Sequence, residues 1–149
     1  MLFHSRDTRM TQVPFSTVKP LWTGVLGLVE DGSWDFPETT WHFATFHLSN
    51  RNRAISCASY MFEPLDDGAP AWRLNSFATE PLFRGRRIGL ELLKWSRQEV
   101  VLEEYPWIRL FHCRARARAI DAYLKDGWER MGQTYPVGDR LYQKMRKSC

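Results

Sequence analysis

The chain has 149 residues and a mass of 17.6 kDa, enough for one domain of ordinary size and too little for two. Hydrophobic residues at 44% and charged residues at 26%, with 9 Gly and 8 Pro, exclude a disordered chain and a fibrous repeat. The formal charge of +4 is unevenly spread: Arg84 to Arg118 holds nine basic residues against four acidic ones, a local field suited to a small polyanion or a short nucleic-acid contact.

The N-terminal third is the hardest to read. Val18 to Val29 carries apolar positions together with Pro20, Gly24 and Gly27, which gives a weak helix ended by the turn signal Glu30-Asp31-Gly32-Ser33. Thr40 to Leu48 and Arg53 to Met61 read as strands joined by the polar turn Ser49-Asn50-Arg51-Asn52, hence a hairpin. After Asp66-Asp67-Gly68 comes a third strand, Trp72 to Ala78, with Trp72, Leu74 and Ser76 on one side and Arg73, Asn75 and Phe77 on the other. From Arg86 to Glu104 the period becomes helical: Ile88, Leu92 and Trp95 form a stripe, Leu93 and Val100 widen it, Glu99 interrupts it, and Pro106 stops the run. Ile108 to Cys113 suits a buried strand. Ala117, Ile120 and Leu124 then recur at helical spacing up to Gly127, a natural C-terminal cap, and Trp128 and Leu141 to Met145 open the last β segments. Strands, helix, strand, helix, strands is the order of an α/β or α+β sheet with helices packed on it.

Chemistry concentrates in Thr79-Glu80-Pro81-Leu82-Phe83-Arg84-Gly85-Arg86-Arg87-Ile88-Gly89, a strand joined to a helix through a loop of cations and glycines. Such a loop aims unpaired N–H groups and the positive helix end at one point, which suits a phosphate or pyrophosphate. Taken alone it is equally a basic turn that caps a helix, and it has neither the Rossmann nor the Walker glycine spacing. His42 and His47 are five apart on one strand, which argues against two ligands of one metal, and Cys57, Cys113 and Cys149 form neither a disulfide framework nor a Cys-rich zinc site. The cysteines suit a reducing, cytoplasmic setting. Met1 to Gln12 has no apolar run of signal-peptide length, and no later segment is long enough to cross a bilayer.

With these residues in place, the sequence resembles the GNAT superfamily of acetyl-CoA-dependent N-acetyltransferases. Arg84 and Gly89 match the family's loop signature, Arg87 stands where its first glycine is expected, and Pro81, Phe83, Gly85, Ile88, Leu92 and Leu93 surround them in familiar fashion. A second match runs through Cys113-Arg114-Ala115-Arg116, Ala119 and Ala122-Tyr123-Leu124-Lys125-Asp126-Gly127-Trp128, with Arg114 in place of the family's Asn. The resemblance is good from about Ala54 to Lys147. It implies a single GNAT-like domain over residues 1–149, with a mixed, mostly antiparallel sheet flanked by helices and splayed at a cofactor cleft. It also implies acetyl-CoA as cosubstrate, a small amine-bearing acceptor and direct transfer. No metal, nucleic-acid or membrane partner is expected, because the sequence lacks metal-ligand spacing, a helix-turn-helix, RRM or KH signature and a bilayer-length apolar run; homodimerisation is left open.

The same resemblance assigns the site. Backbone groups at Phe77, Ala78 and Thr79 would hold the pantetheine arm and polarise the thioester. Arg84, Gly85, Arg86, Arg87, Ile88 and Gly89 would hold the pyrophosphate, and Tyr123 would be the general acid for the CoA sulfur. No residue is assigned as base; His42, His47 and Glu80 have suitable side chains, and a water relay would serve as well. At Arg87 the expectation is a negative φ, with Gly85 absorbing the awkward geometry. The departures at Arg87 and Arg114 leave an alternative, a degenerate domain that binds CoA or another acyl-CoA as a regulatory module.

Overall fold

The computed structural model describes residues 7–27 and 36–149, so the turn signal at Glu30 to Ser33 lies outside the described residues. The expected hairpin is β2 (Trp41–His47) and β3 (Asn50–Phe62), antiparallel from Trp41↔Tyr60 to His47↔Asn50. Its turn is therefore Leu48-Ser49 and not Ser49 to Asn52; His47 Nδ1 closes it, 2.5 Å from Ser49 Oγ. β4 (Trp72–Thr79) adds antiparallel to β3. β5 (Leu110–Arg116) runs parallel to β4, and with β1 (Thr8–Val13) at one edge, β7 (Arg140–Ser148) and β6 (Glu129–Val137) complete a sheet of seven strands among the described residues, in the order β1-β2-β3-β4-β5-β7-β6. One parallel pair among antiparallel neighbours is the mixed sheet that the order of elements implied.

Two N-terminal elements differ from the sequence reading. β1 (Thr8–Val13) pairs with β2 along the edge of the sheet, where no element was signalled, because an edge strand needs few apolar residues and Thr-Arg-Met-Thr-Gln-Val has only two. The helix α1 spans Phe15–Gly24 rather than Val18 to Val29 and retains Pro20 inside it. Burial of Val18, Leu21 and Trp22 against Ala44, Phe46, Cys57 and Ala78 compensates for the hydrogen bond that Pro20 cannot donate.

The other face of the sheet carries the larger core. Leu92, Leu93 and Val101 from the central helix, and Ile120 and Tyr123 from α4 (Ile120–Lys125), cover Phe43, Tyr60, Leu74, Phe111, Cys113 and Met145. The central helix begins as α2 (Ile88–Trp95), widens into a π-helical turn at Ser96–Val101, and ends in α3 (Leu102–Glu104). The wide turn shifts the helical phase, which is why Glu99 is exposed and Ser96, Arg97 and Val101 point inward. Arg97, counted in the sequence as part of an anion-attracting field, is 1% exposed and forms a two-pronged ion pair with Asp126, one prong at 3.1 Å. Trp128 Nε1 donates to the same carboxylate at 2.9 Å. The pair is a buried structural clamp, so its charge is unavailable to a ligand.

Before α4, Ala117–Ala119 forms a 3-10 turn, which rotates the helix relative to the stripe read from the sequence. Leu124, expected on the buried stripe, is 37% exposed, and Tyr123 takes its place. Gly127 ends the helix at φ +85°, with Trp128 N–H donating to Tyr123 O and Gly127 N–H to Leu124 O. That is the left-handed C-terminal cap expected of this glycine.

Candidate active site

The site begins with one extra residue in β4. Ser59 pairs with Ser76 and Tyr60 with Leu74, so Asn75 has no partner on β3 and bulges. The bulge exchanges faces: Leu74 lies in the core beneath α2, Phe77 packs against that same core, and Ala78 lies in the core beneath α1. The reading that grouped Ser76 with Leu74, and Phe77 with Arg73, is corrected for this reason, since strict alternation fails across a bulge. Beyond Leu74↔Cys113, β4 and β5 no longer pair. Their divergence opens a cleft of about 1580 Å³ with Asn75 to Thr79 along one wall. Every second residue of that wall turns its backbone N–H and C=O away from β3 and toward the space β5 has left. Ser56 Oγ fixes the wall's end, donating to Ala78 O at 3.0 Å and lying 3.0 Å from Thr79 Oγ1.

At the mouth stands the loop between β4 and α2. Arg84 Nε donates to Thr79 O at 3.1 Å, which folds the arginine back over the strand end. Gly85 has φ +77° and Arg87 has φ +63° and ψ +10°, the left-handed conformation that glycine adopts freely and arginine does not. The expected negative φ at Arg87 is overturned: the chain keeps the backbone shape a glycine would give and accepts the strain. The first intrahelical hydrogen bond is donated by Glu91 N–H to Arg87 O, so the N–H groups of Ile88, Gly89 and Leu90 precede the helical ladder and point out of its positive end. Gly89 meets a packing demand: a Cβ there would lie 2.6 Å from Thr79 Oγ1 and 3.1 Å from Phe77 Cζ, so only glycine lets α2 sit this close to β4.

Of the sequence-selected residues, Phe77, Ala78, Thr79, Arg84, Gly85, Arg87, Gly89 and Tyr123 line this one cleft. Two do not. Arg86 is turned from the lining, and the Ile88 side chain is 3% exposed inside the core, leaving only its backbone to face a ligand. Tyr123 sits on the cleft floor between Phe77 and Trp128, at ring-centroid distances of 5.6 and 5.2 Å. Burial pushes its phenol well above the ordinary value, and the neighbouring Cys113 thiol adds to the rise. It is a neutral hydrogen-bond donor at any physiological pH.

None of the three side chains weighed as bases projects into the cleft. His42 is buried among Phe15, Trp22 and Phe36, with Nδ1 2.7 Å from Ser59 Oγ, and burial pushes its pKa down to about 4. His47 closes the hairpin turn and Glu80 is paired with Arg53. The basic residues, in contrast, converge: among the described residues, Arg73, Arg84, Arg87, Arg114, Arg116, Arg118, Lys125 and Lys144 line the cleft with the single carboxylate Glu63. Arg73 and Lys144 come from outside the basic stretch and were invisible in the sequence, since only strand register brings them here. Among the described residues no group of three or more His, Cys, Asp or Glu side chains suits a metal ion, and no helix is long and apolar enough to cross a membrane.

The folded chain is similar to an acyl-CoA N-acyltransferase from Pseudomonas aeruginosa, with a TM-score of 0.71, 15% identity, and 95% of this chain and 99% of that one covered. It is likewise similar to Escherichia coli ElaA, with a TM-score of 0.73 at 12% identity over 95% of this chain and 99% of the other. An aminoglycoside 6'-N-acetyltransferase complexed with coenzyme A aligns at a TM-score of 0.68 and 11% identity, covering 94% of this chain and 96% of that one. No protein-family model and no curated protein matches the sequence.

Proposed function

We propose that this chain, which has the GNAT acyl-CoA N-acyltransferase fold over about 95% of its length, is an acetyl-CoA-dependent N-acetyltransferase acting on a primary amine by direct transfer. The observation that carries the reading is the divergence of β4 and β5 after Leu74↔Cys113, with the Arg84 to Gly89 loop at its mouth. Phosphate oxygens placed against the α2 N-terminus would meet the N–H groups of Ile88, Gly89 and Leu90 and the guanidinium groups of Arg84 and Arg87. A pantetheine arm running along Phe77 to Thr79 would pair with strand groups that have lost β5 as partner.

In the reaction the neutral amine nitrogen attacks the thioester carbonyl carbon, a C–N bond forms, and the C–S bond breaks. The amine's proton leaves to water in the open cleft: among the described residues the one carboxylate of the lining, Glu63, is paired with Arg73, and His42, His47 and Glu80 lie outside it. Tyr123 donates a hydrogen bond to the departing sulfur; its raised pKa makes it a donor that stabilises the thiolate more than one that surrenders its proton.

A specific observation favours the second reading, a CoA-binding module: Arg87 occupies a left-handed position in the phosphate loop. Calorimetric titration with CoA and acetyl-CoA tests both readings together, and binding of neither at millimolar ligand would sink both. CoA release in the presence of a panel of primary amines separates them. For the enzyme, Tyr123→Phe lowers kcat by about tenfold or more with CoA affinity unchanged, since the hydroxyl acts on the leaving group.

A further inference from the structure

Resting on the acetyl-transfer reading above, we propose that the acceptor amine carries an anionic group, a carboxylate or a phosphate, beside an apolar body, and that Arg114, Arg116 and Lys144 bind that anion. In β5, Cys113 and Ala115 belong to the core beneath α2 and α4, so alternation sends Arg114 and Arg116 to the opposite face of the sheet. There β7 places Lys144 directly across from Arg114, and Tyr142 across from Arg116. Two cations facing each other across strands repel, and a sheet keeps such a pair at a cost unless something negative lies between them.

The described residues supply little that is negative there. Among the described residues no carboxylate forms an ion pair with Arg114 or Arg116. Arg116 gives one N–H to Leu26 O, and its guanidinium pKa is lowered by burial first and by the neighbouring Arg140 next, against an opposing contribution from Tyr142. Lys144 reaches only Asp66, at 4.0 Å, where that carboxylate is fully exposed and solvent screens the attraction. On the same face Arg146 lies 3.7 Å from Glu129. Glu63, the carboxylate on the cleft wall, is committed to Arg73 at 3.2 Å and lies 3.8 Å from His112.

This set is separate from the phosphate loop. Both groups line the one cleft, but Arg84 to Gly89 leads into α2, which packs on the other face, whereas Arg114, Arg116 and Lys144 project from β5 and β7 on the α1 face. The same cleft is also lined by the half-buried Val25, Leu26 and Phe36, an apolar wall suited to the acceptor's body. A polycationic acceptor would be repelled by this surface, and a neutral one would leave Arg114 and Lys144 facing each other unscreened.

The test is calorimetric titration of CoA-saturated protein with three products of matched shape: N-acetylphenylalanine, its phosphonate analogue, and uncharged N-acetylphenethylamine. An anionic product binds about tenfold or more tighter than the uncharged one, and the stronger of the two anions identifies carboxylate or phosphate. In the Arg114→Gln, Lys144→Gln double variant that advantage disappears. CoA affinity stays within about twofold of the parent, and the melting temperature is unchanged or higher because a repulsion has been removed. Equal or tighter binding of the uncharged product, no binding of any of the three, or a loss in the variant that falls on CoA would overturn the proposal while leaving the acetyl-transfer reading intact. A parent protein that takes up no CoA fails the earlier reading, and the acceptor proposal falls with it.

Discussion

Replacing Arg87 by glycine separates two effects that usually move together. The residue sits at φ +63°, where an L side chain costs about 1 to 2 kcal/mol relative to the right-handed region. Glycine removes that strain but loses about 0.5 to 1 kcal/mol through the greater freedom of the unfolded chain. The net gain is about 0.5 to 1 kcal/mol. At an unfolding entropy of about 0.3 kcal/mol/K for a chain of this length, the melting temperature rises by about 2 to 3 °C. The loop keeps its shape, because its backbone is already in the conformation glycine prefers, so the substitution removes only a guanidinium from the cleft wall. Losing one exposed charge-assisted contact to phosphate costs about 1 to 2 kcal/mol, a five- to thirty-fold rise in Kd for CoA by about the usual conversion. Arg87→Ala is the control, since it loses the same charge and keeps the strain: CoA affinity falls equally and the melting temperature does not rise. Differential scanning calorimetry and CoA titration on the three proteins read both quantities. Tighter CoA binding in Arg87→Gly would refute the reasoning, because it would mean that the side chain obstructs the phosphates, and it would favour the binding-module reading.

Gly89→Ala forces a Cβ to within 2.6 Å of Thr79 Oγ1. Even after the better helix propensity of alanine, stability falls by about 1 to 2 kcal/mol in denaturant titration and CoA affinity falls with it, since Phe77 and Thr79 must move. Asp126→Asn strands the buried Arg97 charge and costs about 3 to 5 kcal/mol, read as a lower urea midpoint, whereas replacing both Arg97 and Asp126 by apolar residues recovers much of the loss. His42 is held neutral by burial, its pKa pushed down to about 4 from 6.5. The unfolded chain therefore binds a proton that the folded one refuses, and the stability from this group is complete above pH 6.5. It falls as the pH drops from about 6.5 to about 4, by up to about 3 kcal/mol. Melting temperature against pH shows that slope in the parent and not in His42→Gln; equal slopes would remove His42 from the account.

Local patterns in the sequence were sufficient for the hairpin, the central helix, the left-handed cap at Gly127 and the loop that joins β4 to α2. Each is governed by residues within a few positions of one another: a polar turn between β-favouring runs, an apolar stripe, a glycine after a helix, glycines and arginines at a helix start. The loop between β4 and α2 was legible for that reason, and most of the residues chosen from it and from the Tyr123 segment line one cleft.

What the sequence did not determine depends on contacts between distant segments. β1 was missed because an edge strand needs pairing with β2 more than an apolar pattern of its own. Arg97 looked like a solvated cation until the π-helical turn carried it inward to meet Asp126, 29 residues away. Asn75 looks like any strand residue; only its mispairing with β3 shows that it bulges, exchanges the faces of Ser76 and Phe77, and marks where β4 parts from β5. The sign of φ at Arg87 was likewise set by the close seat of α2 on β4 at Gly89, which fixes where the loop must end and leaves the arginine to adopt the backbone that reaches it. Tertiary packing decides such matters because a strained dihedral, a bulge or a buried charge costs only a few kcal/mol locally, less than the apolar burial that the whole sheet gains by accepting it.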